Sequence, residues 1–183
     1  MNGRTVLGLI LALLVGACAA TQTEVASLPT DPPWGLDSVD LPDDADAIAE
    51  VFAAMPAEVD GVPLEMADGD GVNLQGADER HLQLRVLGLA DLREFAGTPD
   101  LTVTDFLSVL VDSGELETAE SELDDSKPLV WVASTGRGNG ELFHDAAWAA
   151  PDGAWLFSAS AESPEARTEL IHAFINAVQT KGS

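Results

Sequence analysis

The chain has 183 residues, 46% of them hydrophobic and 22% charged, with 8 Lys and Arg against 32 Asp and Glu for a formal net charge of −24. That much apolar material can build a core in spite of the charge, which excludes wholesale disorder, and the length suits one domain. So acidic a chain repels the phosphates that dominate nucleic-acid affinity, and a single Cys excludes an intramolecular disulfide and a Cys-rich zinc site.

The first 20 residues are laid out as a secretory signal. Arg4 precedes an apolar run over residues 6–15, the small residues Gly16 and Ala17 follow, and Thr21-Gln22-Thr23-Glu24 opens a polar stretch. Residues 6–20 number 15, fewer than the roughly 18 to 20 that cross a bilayer. Leu14-Val15-Gly16-Ala17-Cys18 resembles the lipobox of bacterial lipoproteins, in which a small residue precedes an invariant Cys. The resemblance covers residues 1–18. It implies transfer of a diacylglycerol to the Cys18 sulfur, cleavage between Ala17 and Cys18, and acylation of the new amino group. No other cofactor is expected. The chemistry of the segment agrees, because a thiolate is its one good nucleophile and sits where the apolar run meets water. Two or three acyl chains hold a protein firmly where one chain is marginal. An ordinary signal cut after Ala19 or Ala20 is the alternative.

Removal of residues 1–17 takes away Arg4 and no acid, leaving 166 residues with 7 bases and 32 acids, a net charge of −25. Such a surface stays clear of anionic headgroups, while adaptation to high salt and recognition of a basic partner are the other readings. Residues 18–41 are expected to form the lipidated Cys and a flexible acidic tether, since Pro29, Pro32 and Pro33 among scattered acids favour extended, solvated backbone. Trp34 within it is expected to fold back as a packing anchor.

Residues 42–183 are expected to form one globular α+β domain. Pro42-Asp43-Asp44 opens a helix whose apolar stripe is Ile48, Val51, Phe52 and Met55, and Pro56 ends it. Short strands are expected over 62–66 and 72–75, joined by the turn residues Asp68-Gly69-Asp70-Gly71. Residues 81–86 alternate, with Leu82, Leu84 and Val86 on one face and His81, Gln83 and Arg85 on the other. A helix starting at Thr104-Asp105 carries Phe106, Leu107, Leu110 and Val111 and stops at Ser113-Gly114. Leu116, Ala119 and Leu123 in the acid-rich stretch 115–125 point to a short, solvated helix. The apolar run 129–133 predicts a strand covered on both faces, and 142–149 and 154–160 complete a three-stranded antiparallel meander. Ser163-Pro164-Glu165 then starts a closing helix buried through Leu170, Ile171, Phe174, Ile175 and Val178. Small α/β-sandwich lipoproteins of the PsbP kind are similar in ending with a sheet and a carboxy-terminal helix.

Few residues announce chemistry. Asp68, Asp70 and Glu79 occupy positions 1, 3 and 12 of a calcium loop, but Val72 stands at position 5 and Asn73 where Gly is needed, so a tight turn is the better reading. Gly136, Gly138 and Gly140 lack the Gly-Lys-Ser/Thr ending of a phosphate loop and precede a strand. Asn139-Gly140 reads instead as a hairpin turn, with Arg137 solvated near its tip. His81, His144 and His172 have no metal-site spacing, and no metal site is expected. His172 is expected to be partly buried. His144 and Asp145 adjoin on a strand and so point to opposite faces, which prevents them from acting as an oriented acid–base pair. There is no Gly-x-Ser-x-Gly elbow, no catalytic residue stands out, and no enzymatic activity is expected. Trp131, Trp148, Trp155, Phe143 and Phe157 are expected in the core, with an apolar ligand cleft between sheet and helix as the alternative.

The expectation is therefore a lipid-anchored, extracytoplasmic domain at the bacterial cell membrane that binds a protein or small ligand. An envelope hydrolase and a structural subunit of a membrane complex are the alternatives. A pocket shared by His81 or His144, a Ser and a carboxylate favours the hydrolase, and a large exposed apolar patch favours the subunit.

Overall fold

A computed structural model of the chain describes residues 34–67, 71–77, 80–113 and 116–182. Ala17, Cys18, the signal segment and the tether up to residue 33 lie outside the described residues, as do Asp68, Asp70 and Glu79.

Among the described residues the elements run α1 (Ala45–Ala54), β1 (Glu58–Val59), β2 (Val62–Ala67), β3 (Val72–Gly76), β4 (Leu82–Gly88), α2 (Leu89–Ala96), α3 (Val103–Asp112), β5 (Leu116–Glu122), β6 (Val130–Gly138), β7 (Glu141–Ala149), β8 (Trp155–Ala161) and α4 (Pro164–Lys181). The strands form one antiparallel sheet in the order β1-β2-β3-β4-β8-β7-β6-β5. The α+β class is as expected. The meander β6-β7-β8 makes one half of the sheet, and β4 joins it through β8.

The helices start where local chemistry satisfies their free N–H groups. The Asp44 carboxylate accepts from the Ala47 N–H at 2.8 Å. Thr102 and Asp105 form a reciprocal capping box at α3. The Ser163 hydroxyl accepts from the Ala166 N–H at 3.1 Å, and Pro164 takes the first turn of α4. At the β6–β7 hairpin Asn139 and Gly140 have φ of 53° and 87°, the left-handed pair that a tight two-residue turn requires.

Two cores lie on opposite faces of the sheet. On one, α1 and α4 cover Trp131, Trp148, Phe157 and the small residues Ala133, Ala146 and Ala159. On the other, α2 and α3 cover Leu87, Val130, Val132, Ala147, Ala149 and Leu156. Residues 130–133 are thus buried on both sides, as the unbroken apolar run predicts.

The structure departs from the sequence reading in several places. Residues 116–122 are the edge strand β5, not a helix: Leu116, Thr118 and Glu120 are half-buried and alternate with exposed Glu117, Ala119 and Ser121. The ladder with β6 overrides the helical spacing of Leu116, Ala119 and Leu123, and the acids suit an edge that must not pair further. Helix α2 was not expected; among its described side chains Leu89 and Leu92 are buried, and Gly97 at φ 62° closes it. Trp34 folds back onto the core as expected, its ring centroid 6.0 Å from that of Trp131, but the packing before Pro42 extends beyond this one residue. Leu36 is fully buried, and Trp34, Val39 and Leu41 pack on the core beside it. Finally, His172 is exposed rather than partly buried.

Candidate binding site

The strand register places polar residues side by side on the face that α2 and α3 cover. Gln83 of β4 lies opposite Ser160 of β8, Ser160 opposite Asp145 of β7, and Asp145 opposite Ser134 of β6. One row along, Arg85 lies opposite Ser158 and Ser158 opposite Ala147. Further along the same strands, Leu87, Leu156 and Ala149 take over beneath the helices. This face is therefore apolar under the helices and polar beside them. At the boundary the side chains leave a half-enclosed pocket of about 40 Å³. Gln83, Arg85, Ser134, Asp145, Ser158 and Ser160 line it together with Leu110 of α3, Leu116 and Val132.

Asp145 is the distinctive group in this lining. Burial pushes its carboxyl up to about 6, against the opposing pull of a hydrogen bond from Ser160 and the positive charge of Arg167. Its Oδ2 is buried and has no hydrogen-bond partner among the described residues. Behind Ser160 stands His81, with Nε2 2.7 Å from the Ser160 Oγ and its ring 4.4 Å from that of Phe143. Burial lowers the pKa of His81, and Glu162 and Glu141 only partly offset this.

The direction of this chain limits its chemistry. A serine hydroxyl has one proton. When Ser160 donates it to the ionised Asp145, its oxygen can only accept from His81, so Nε2 carries the hydrogen. An imidazole that donates to a serine cannot also deprotonate it, and the carboxylate here holds the serine rather than the imidazole. The arrangement His81→Ser160→Asp145 suits a fixed polar binding surface better than an activated nucleophile.

The opposite face holds a second polar group. His144 is buried, with Nδ1 3.0 Å from the Thr135 Oγ1, and its pKa is lowered by burial and by Arg167. Arg167 of α4 is fully buried; its guanidinium lies 5.0 Å from the Trp34 ring centroid and donates from Nη1 to the Asp145 backbone carbonyl at 3.2 Å. Burial lowers its pKa, opposed by Asp145 and Glu165. His144 and Asp145 do take opposite faces, as strand geometry predicts.

The other sequence candidates stay separate. Arg137 is not solvated: its Nε pairs with the Glu117 Oε1 at 2.6 Å across β5 and β6. Trp131, Trp148 and Phe157 are buried in the α1–α4 core, whereas Phe143 and Trp155 are half-buried, the Trp155 Nε1 donating to the Asp43 carbonyl at 2.7 Å. Among the described residues no three His, Cys, Asp or Glu side chains gather as metal ligands, and no helix is long and apolar enough to cross a membrane. The exposed large apolar side chain among them is Met66.

Sequence reasoning placed Gln83 and Arg85 on one polar face and met Asp145 only as the neighbour of His144, but missed Ser134, Ser158 and Ser160. Their signal was available in the alternation of Ser158 and Ser160 with Phe157, Ala159 and Ala161. The missing information was the β4–β8 pairing that brings the two polar rows together. Comparison with known protein families and with functionally described proteins finds no match to this chain.

Proposed function

We propose that this chain is a lipid-anchored protein of the bacterial envelope whose extracytoplasmic domain binds a small polar ligand in the pocket around Asp145. The pocket carries the reading: Asp145, a buried carboxylate with one oxygen unpartnered among the described residues, is part of the lining of a gap formed by sheet strands rather than by loops. Rigid strands keep such a gap available to a guest. The lipobox-like segment ending at Cys18 supports the anchor, and the acidic chain supports a domain that stands off anionic headgroups.

The anchor is tested by Cys18→Ser expressed in a bacterial host. The variant is expected to leave the membrane fraction and lose the mass of the acyl groups, and membrane residence equal to that of the parent would sink the anchor.

A hydrolase is the second reading, favoured by the 2.7 Å contact between His81 and Ser160. Covalent labelling of Ser160 by a fluorophosphonate would support it. The donor direction argued above speaks for no labelling.

A further inference from the structure

We infer that the ligand of the Asp145 pocket carries a primary ammonium group, which pairs with the Asp145 carboxylate; this rests on the binding reading above. A carboxylate taken out of water is costly unless it is paired and hydrogen-bonded. Ser160 satisfies one side of Asp145, while Oδ2 has no hydrogen-bond partner among the described residues. The nearby cations do not fill that place. Arg167 reaches Asp145 from the other face of the sheet and bonds its backbone carbonyl, not its carboxylate. Arg85 lies on β4, two strands away and one row along. Asp145 lines the pocket, so a guest there with positive charge and N–H donors offsets the cost of the buried carboxylate.

The rest of the lining selects among cations. An ammonium group has three N–H donors, and beside Asp145 the pocket offers the hydroxyl oxygens of Ser134 and Ser158 and the amide oxygen of Gln83 as acceptors. A room of about 40 Å³ takes a head of ammonium size, with a hydrocarbon stem running out along Leu110 and Leu116. A quaternary ammonium is bulkier, has no N–H, and finds no aromatic ring among the described lining residues to cradle it. Among the described lining residues one carboxylate is present, too few for a site built for a hard divalent ion. The charge of −24 repels anionic ligands and draws cations towards the surface.

The test is titration of the full-length protein in detergent at pH 7.5 with propylammonium, tetramethylammonium, propionate and propionamide, followed by calorimetry. Propylammonium is expected to saturate one site and the other three to bind at least tenfold more weakly. Asp145→Asn keeps the shape and is expected to weaken propylammonium at least tenfold; Ser134→Ala, a milder change, weakens it severalfold. Below about pH 6 the affinity falls towards tenfold per pH unit as Asp145 takes up its proton. Among the described residues the charged or titratable groups around Asp145 are Arg167 across the sheet and Arg85 and His81 on its own face, with Leu110 facing it from α3.

Unchanged propylammonium binding in Asp145→Asn overturns the inference, as does tighter binding of tetramethylammonium. Preferential binding of propionate or propionamide overturns the ammonium assignment and leaves the pocket a binding site. Failure of all four to bind overturns both.

Discussion

Phe174→Ala is expected to destabilise the domain by about 3–5 kcal/mol, a large share of the roughly 5–15 kcal/mol that holds a domain of this size folded. Phe174 is fully buried on α4. Its ring centroid lies 5.5 Å from that of Phe157, 6.0 Å from that of Trp148 and 6.3 Å from that of Phe52. The ring thus joins α4 to α1 and to β7 and β8 at one point. Truncation to Ala leaves a hole walled by three buried rings, two of which, Trp148 and Phe157, stack on each other, so the site resists collapse and most of the cavity cost remains. Phe174→Leu, which refills most of the volume, is expected to cost less than half as much. Urea unfolding followed by tryptophan fluorescence measures both, with Trp148 as a reporter beside the change. A cost below about 1 kcal/mol for the Ala variant would show that the α1–α4 face is not the principal core.

The outcome at Phe174 bears on how much of the fold the sequence carries. Elements whose signals are local were readable: Asp44 and Ser163 mark two helix starts by their capping chemistry, whereas α3 is capped by Thr102, two residues before the start read at Thr104-Asp105. Asn139-Gly140 marks a hairpin because the turn needs two positive φ values. The β6-β7-β8 meander follows from such hairpins, since consecutive antiparallel strands need only a turn between them. Long-range pairing was not readable. β4 and β8 are neighbours although α2, α3 and three strands separate them along the chain, and no residue within either strand encodes its partner. β5 shows the same limit from the other side. Its Leu116, Ala119 and Leu123 fit a helix in isolation, and only the β6 edge makes the strand the better choice. The candidate site inherits this limit because every residue of the row Gln83, Ser160, Asp145 and Ser134 comes from a different strand. Each reads as an ordinary outward polar residue until the order of strands is known.

The second large effect is a pH-dependent gain of stability in Asp145→Asn. Because burial raises the folded-state pKa of Asp145 from 3.8 to about 6, the folded protein holds this proton more tightly than the unfolded chain does. Folding is then favoured where the group is protonated in both states, below about pH 4. Between about pH 4 and 6 the unfolded chain has released the proton while the folded protein retains it, so stability declines as pH rises through this window. Above it the loss is complete, at about 3 kcal/mol. Asn keeps an acceptor for the Ser160 hydroxyl and carries no charge. Asp145→Asn is therefore expected to exceed the parent by about 3 kcal/mol at pH 7.5 and to match it near pH 4. Urea midpoints of the two proteins at half-unit steps from pH 4 to 8 measure the gap. A gap that does not change with pH would mean that Asp145 is as well solvated or paired in the folded protein as in the unfolded chain, and the ammonium assignment would lose its physical basis. A gap that opens as described marks Asp145 as a group held against the stability of the fold, which is the usual condition of a residue kept for what it binds. Propylammonium at saturating concentration is then expected to close part of that gap in the parent and none of it in the variant, because only the charged carboxylate gains a partner.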